Sequence, residues 1–254
     1  MIYFRKITLL LFTVLVPIIL TSCGPDRRST AEILDDAVKA GNKNKWQDAL
    51  DEAKNAVRRE PENPSALMML AIAYENTGRK DLAIQAARTA ASLANDDYSA
   101  QYLLGRLYYE SPKNIQDCIE PLLRAKKLKP NDSNTLILLG QSARKLNLQK
   151  PEQYYEALTK TTRFRKRPEP WNEMGIIYAS RNDLGKAANC FVNAYKAAPD
   201  NHTVVRNLAI FMDRCNRKKK AVLFYKKYID LIAGNPEMEH QRRQVRRRIR
   251  EISS

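Results

Sequence analysis

A small residue returns along this chain at almost constant intervals: Ala37, Ala71, Gly105, Gly140, Gly175 and Ala209, spaced by 34, 34, 35, 35 and 34 residues. A period of that length constrains the fold more than any single motif does. It is too short for a domain and too long for one ordinary helix. Each period must therefore hold one supersecondary unit that buries its apolar face only against its neighbours. Within a unit the pattern is helical: Leu67, Leu70, Ala71 and Tyr74 fall three and four apart on one face, as do Trp171, Met174, Gly175 and Tyr178. A second small position recurs at Ala49, Ala83, Cys118, Ala187 and Ala221, and a third at Ala56, Ala90, Ala125 and Ala194. Pro61, Pro130 and Pro199 come next, where a residue unable to continue a helix belongs. Each period thus reads as two antiparallel helices brought close by small residues, with large residues filling the space between successive pairs.

The fullest copy runs Trp171-x-x-Met174-Gly175-x-x-Tyr178, then Ala187-x-x-x-Phe191-x-x-Ala194 and Pro199. It resembles the tetratricopeptide (TPR) repeat family, and the resemblance extends in six copies from about Thr30 to Ala233. The resemblance implies an all-α, right-handed solenoid. The expected organisation is six repeats over residues 30–235 and a basic amphipathic capping helix within 236–254. That helix follows Gly234-Asn235-Pro236 and is expected from Glu237 to Ile252, with Met238, Val245, Ile249 and Ile252 on one face. The fourth copy is the weakest: Gly140 and Leu136 fit, but Pro151 opens the second helix and Gln153 stands where a small residue is usual. A displaced second helix is expected there.

Upstream of the repeats, Arg5 and Lys6 precede an apolar run of 14 residues, Ile7 to Leu20. A charged start, a short apolar run and small residues before a cleavage site describe a secretory signal. The run is too short to cross a bilayer core, which needs roughly 20 residues. It ends at Leu20-Thr21-Ser22-Cys23, which resembles the lipobox of bacterial lipoproteins. That resemblance implies a signal peptide over 1–22, a lipid on the Cys23 thiol, and a short tether over 23–29. Gly24 is not the aspartate that retains some lipoproteins at the inner membrane, so the outer membrane, facing the periplasm, is expected.

Charge divides the chain. Residues 23–120 hold 13 Lys/Arg and 16 Asp/Glu, whereas residues 121–254 hold 29 and 12. Such asymmetry points to an anionic partner for the second half. In an exported protein, acidic protein surfaces, anionic lipid or cell-wall polymer fit this better than nucleic acid. The densest cluster is Arg242, Arg243, Arg246, Arg247, Arg248 and Arg250 on the cap, expected to point outward. Two other basic runs, Arg163 to Arg167 and Arg217 to Lys220, lie between repeats and within a pair, so they are expected on opposite edges. Cys118, Cys190 and Cys215 are read as buried, unreactive thiols.

No constellation for chemistry stands out. His202 and His240 are the only histidines, and neither a His-Glu-x-x-His, a Gly-rich phosphate loop nor a Gly-x-Ser-x-Gly occurs. No enzyme, cofactor or metal is expected. In TPR stacks the first helix of each pair lines the concave face. By phase that face carries Met68, Ile72, Tyr102, Arg106, Tyr109, Ile137, Gln141, Arg144, Asn172, Ile176, Arg206, Ile210 and Arg214. Aliphatics, tyrosines and arginines together suit a peptide with acidic and apolar residues. The Lys/Asn clamp of chaperone-binding members is not evident, so capture of a C-terminal carboxylate is not expected. The expected function is a membrane-anchored scaffold that holds partner proteins in envelope assembly. In architecture it resembles the pilotin-type assembly lipoproteins of type IV pili. The alternatives are an outer-membrane β-barrel assembly component, a cell-wall hydrolase adaptor, or a cationic module for anionic membrane or polymer.

Overall fold

Each period of the sequence becomes one helical hairpin. In a computed structural model, which describes residues 27–253, the chain is all-α and its helices follow in sequential pairs. The pairs are α1 (Thr30–Asn42) with α2 (Trp46–Arg59), α3 (Pro64–Asn76) with α4 (Lys80–Leu93), and α5 (Tyr98–Glu110) with α6 (Ile119–Leu128). They continue as α7 (Ser133–Lys145) with α8 (Glu152–Lys160), α9 (Glu169–Ser180) with α10 (Leu184–Ala197), and α11 (His202–Arg214) with α12 (Lys218–Leu231); α13 (Glu239–Ser253) closes the stack. The arrangement is a TPR-like superhelix. The expected signal peptide, Cys23 and the first part of the tether lie outside the described residues.

Local chemistry sets the helix ends. Most first helices begin at a side chain that accepts from the exposed backbone amides: Ser29 in a capping box with Glu32, then Asn63, Asp97, Asp132 and Asn201. Inside a pair the chain must reverse, and in five of the six pairs a residue at positive φ stands at the same point of the turn. Asn44, Gly78, Asn147, Asn182 and Asn216 take that place, at φ 58°, 79°, 53°, 61° and 54°. Glycine adopts this region freely, and asparagine tolerates it better than most residues. The third pair has no such residue and closes instead through a 3₁₀ turn, Ile115–Cys118. The cap likewise opens with a 3₁₀ turn at Pro236–Met238, so its α-helix starts at Glu239, two residues later than Glu237.

The recurring small residues sit where the helices of a pair press together. A Cβ on Gly105 would stand 2.6 Å from Leu122, one on Gly140 2.7 Å from Tyr155, and one on Gly175 2.8 Å from Phe191. The fourth pair is still a hairpin despite Pro151, but its turn is irregular, with a second positive φ of 54° at Lys150. Its contact is made by Tyr155 against Gly140, while Gln153 is exposed. A further irregularity falls after α8. Residues 161–168 form the longest connection between repeats, pinned by the buried Thr161, Phe164 and Pro168, with Arg163, Arg165, Lys166 and Arg167 exposed between them.

One apolar core runs from Ala37 to Cys190, and a second joins Ala187, Phe191, Phe211 and Tyr225 to Val245, Ile249 and Ile252 of the cap. Cys118 and Cys190 are buried, and burial pushes both thiols up, Cys190 to about 11, so they remain protonated. Cys215 differs from expectation. It caps α11 as the residue after its last turn and is half-buried.

Candidate partner-binding groove

Curvature follows from which helices touch. The first helices of successive repeats pack directly, α1 on α3, α3 on α5, α5 on α7 and α9 on α11, while second helices of successive repeats make no comparable contact among the described residues. The first helices therefore form the inner layer. A residue three before or one after the small position faces away from the partner helix and onto that inner surface.

The thirteen residues named from the sequence do not share one environment. Arg144, Ile210 and Arg214 are exposed, Asn172 is buried, and the others are half-buried. Asn172 accepts a hydrogen bond from Asn207 Nδ2 at 3.0 Å, so it ties α9 to α11 and is closed to a ligand. Arg106 is engaged as well. Its two terminal nitrogens donate to both Glu75 oxygens at 2.6 and 2.7 Å, and one also donates to Glu110 at 3.1 Å. Burial of Glu75 works to raise its carboxyl pKa, but the Arg106 hydrogen bonds and charge outweigh this and hold it below the usual range. Tyr102 stacks on Tyr98 with centroids 5.7 Å apart, and the Tyr98 hydroxyl meets Thr135 Oγ1 at 3.2 Å. This first stretch of groove satisfies its own polar groups.

The second stretch is more open. Arg144 reaches Glu173 through one contact of 3.5 Å, and Lys145 Nζ lies 5.7 Å over the Tyr109 ring. Tyr109, Gln141, Arg144 and Lys145 line a hollow of about 330 Å³ between α5 and α7. Between α9 and α11 a second hollow, of about 220 Å³, is walled by Ile176, Phe191, Ile210 and Phe211, with Asn207 and Arg214 at its rim. Phe191 and Phe211 come from the contact layer beneath the groove. Mapping by exposed helix phase missed them, and the large aromatic opposite Gly175 was the signal that could have found Phe191. A larger cleft of about 410 Å³ lies on the outer side, and several of its polar groups pair within the protein. Arg88 donates to the Tyr108 hydroxyl at 2.9 Å, and Gln101 Nε2 donates to the Ala91 carbonyl at 2.9 Å.

Of the six cap arginines, two are tied inward. Arg248 grips Asp213 at 2.7 and 2.9 Å, and Arg242 bonds Glu239 and the Ala233 carbonyl. Arg243, Arg246, Arg247 and Arg250 are exposed. Asp213 also feels the charge of Lys218, so the run Arg217 to Lys220 and the cap approach one another at the end of the stack. Cys23, the expected lipid site, lies outside the described residues.

Residues 34–98 match the family model described as the tetratricopeptide repeat. The chain thus carries tetratricopeptide repeat sequence over these residues and a TPR-like superhelical fold along its described length; TPR repeat proteins are typically non-catalytic scaffolds for protein–protein interaction. Solved structures share the fold along most of its length. PilF of Pseudomonas aeruginosa superposes with a TM-score of 0.62 at 16% identity, covering 85% of this chain and 97% of that one. YrrB, described as a TPR protein with an unusual peptide-binding site, gives 0.61 at 16% identity over 75% and 97%. The C-terminal part of a TPR protein from Cytophaga hutchinsonii gives 0.65 at 19% identity over 81% of each. No curated protein sequence matches the chain.

Proposed function

We propose that this chain is a lipid-anchored scaffold of the cell envelope that holds a partner protein in the groove of its first helices, with type IV pilus or secretin assembly as its leading setting. The observation that carries the reading is the division of the groove. A self-satisfied first stretch leads into a second where arginines and an apolar hollow stand without tight internal partners. The Leu20-Thr21-Ser22-Cys23 sequence supports the anchor. Two or three acyl chains on one cysteine hold a protein at a bilayer, where a single chain gives only reversible attachment. The PilF-like architecture supports the setting.

Three experiments test this reading. Labelled palmitate should enter the wild-type protein in its host and fail to enter Cys23→Ser, and membrane fractionation should place the wild type at the outer membrane. Deleting the gene should reduce secretin multimers. Unlabelled wild-type protein removes the anchor. Normal secretin multimers with depleted outer-membrane β-barrels, or with altered cell-wall hydrolysis, would move the scaffold to one of those pathways instead.

A second reading is supported by the nearness of Lys218 to the Asp213–Arg248 pair, which brings the run Arg217 to Lys220 to the cap end of the stack. In it the repeats display a cationic end to anionic membrane or polymer. The two readings are compatible, because attraction and specificity reside on different surfaces.

A further inference from the structure

Five buried side-chain polar atoms among the described residues lack a hydrogen-bond partner, and two of them belong to neighbours in the groove: the Tyr155 hydroxyl and Glu173 Oε2. Such an atom costs stability, and native proteins rarely keep one without cause. Tyr155 is 3% exposed. Its ring fills the space that Gly140 leaves, with Cζ 2.7 Å from where a Cβ would stand, so the hydroxyl is buried against α7, within reach of the charges of the groove residues Arg144 and Glu173. Burial raises the hydroxyl's pKa, and the charges that act on it are those of Glu173, which raises it further, and Arg144, which opposes this. The group therefore remains a proton donor facing a carboxylate and a guanidinium.

Among successive first helices, α7 and α9 pack the least closely, and the longest inter-repeat connection, 161–168, joins their repeats. The polar hollow of Tyr109, Gln141, Arg144 and Lys145 lies on the α5 side of this step, and the apolar hollow of Ile176, Phe191, Ile210 and Phe211 on the α11 side. First helices in contact stand about 10 Å apart, and the Arg144–Glu173 ion pair at 3.5 Å still bridges α7 and α9, so the hollows are separated by roughly 20 Å. An extended strand rises about 3.3 Å per residue and crosses that distance in about six residues.

We propose that this half of the groove reads an extended partner segment carrying a side-chain carboxylate and, about six residues away, a large aliphatic or aromatic side chain. The inference rests on the groove being the partner site. The ligand carboxylate sits at Arg144 and Lys145, and the apolar side chain fills the hollow beside Ile210. As Arg144 turns to the ligand it leaves Glu173, whose Oε2 then accepts from the Tyr155 hydroxyl. Tyr155 is thus a positioning residue that compensates Glu173 for the guanidinium it gives up.

A random 12-residue peptide library selected against the full chain in detergent tests this. The expected outcome is enrichment of Asp or Glu five to seven positions from Leu, Ile or Phe. An enriched peptide should bind at least tenfold more weakly to Arg144→Gln/Lys145→Gln, while its Glu→Gln version loses less than twofold on the same change. Tyr155→Phe should keep or raise the melting temperature and weaken the acidic peptide severalfold. Peptides that are lost on Ile210→Asp but carry no acid, or are indifferent to Arg144→Gln/Lys145→Gln, would overturn the inference and leave the groove reading intact. No enrichment, or peptides indifferent to both sets of changes, would overturn both. A lower melting temperature for Tyr155→Phe with unchanged peptide affinity would assign the hydroxyl to the fold and refute the exchange of partners.

Discussion

The two halves of the stack are built on one repeat plan and differ in what they leave unsatisfied. Fifteen to seventeen positions after the small residue of each first helix, the early repeats place Ala53, Ala87 and Leu122, and the late ones place Tyr155, Phe191 and Tyr225. In the early half the groove arginine, Arg106, is held by Glu75 through two short bonds. In the late half Arg144 makes one long contact, and Arg206 keeps a buried Nε without a partner. Charge follows the same division. The difference teaches that curvature and recognition are separable: small contacts and paired charges are enough for a repeat to stack, and surplus aromatics and cations equip it to hold something else.

The largest expected effect tests whether the late aromatics are tightly packed. A Cβ on Gly175 would already lie 2.8 to 3.0 Å from three atoms of the Phe191 ring, and Phe191 is in turn backed by Phe211 with centroids 5.1 Å apart. Gly175→Leu should cost about 3 kcal/mol, which for a domain of this size lowers the melting temperature by roughly 6 to 12 °C. The exposed Lys226→Ala should stay within about 0.5 kcal/mol of wild type. Equal melts for the two would mean that the late half is loosely packed.

The next effect compares the two groove arginines. Arg106 and Glu75 are each less than a third exposed. Removing the guanidinium leaves a half-buried carboxylate, so Arg106→Ala should cost about 1–2 kcal/mol in urea denaturation. Arg144→Ala, losing a single contact of 3.5 Å, should be within about 0.5 kcal/mol. Peptide binding should rank them in the opposite order. If Arg144→Ala is the more destabilising, the proposed division between a structural and a receptive half is wrong.

Much of this architecture is legible in the sequence, because repeat stacking depends on side-chain size at fixed intervals, and Ala37 through Ala209 state those intervals directly. The turn asparagines were equally available. Asn44, Asn147, Asn182 and Asn216 recur in the same phase as Gly78, but a search for small residues passes over them, since their role is backbone conformation and not size. Pro151 and Gln153 marked the fourth repeat as irregular, and its turn is, with Lys150 at positive φ, but sequence phase cannot show that Tyr155 supplies the contact. The groove was legible only as a face. Which of its arginines is free depends on residues 31 or 29 positions away, Glu75 for Arg106 and Glu173 for Arg144, and such pairings emerge only when the helices are stacked.

A smaller effect concerns the cap. Arg248 beside Asp213, with the Tyr225 hydroxyl donating at 3.1 Å, holds the Asp213 carboxyl below its usual range. A carboxylate with a lowered folded-state pKa contributes its stability in full above the unfolded value, near 3.9, and loses it as pH falls through the folded value. The amides of α13 should therefore exchange faster as pH drops below about 4, after correction for intrinsic rates, ahead of those in α1 to α4. In Arg248→Gln this acid dependence should shrink. An acid response that appears first in the early repeats would place the weak end of the solenoid elsewhere.

The smallest effect on the fold, and the sharpest on the comparison, concerns the remaining cap charges. Val245, Ile249 and Ile252 seat α13 on the sixth repeat, which leaves Arg243, Arg246, Arg247 and Arg250 in solvent. At the same end of the stack Lys218, Lys219 and Lys220 occupy the first turn of α12, whose N-cap Arg217 makes no side-chain capping bond. Cations at a helix N-terminus oppose its dipole, so stability alone does not ask for them there. Changing the four arginines to glutamine should leave the helical circular dichroism unchanged, because Arg247 and Arg243 have only exposed partners within their own helix. Association with anionic liposomes should slow. The loss should be greatest at low ionic strength, since the Debye length is roughly 30 Å at 0.01 M salt and 8 Å at 0.15 M. Four matching glutamine substitutions in the early half, at the exposed Lys43, Arg58, Arg79 and Lys113, should leave association alone. If both sets act equally, net charge and not its placement governs encounter. If neither acts at any salt concentration, the cationic end is a solvated surface and the late half is specialised only within its groove.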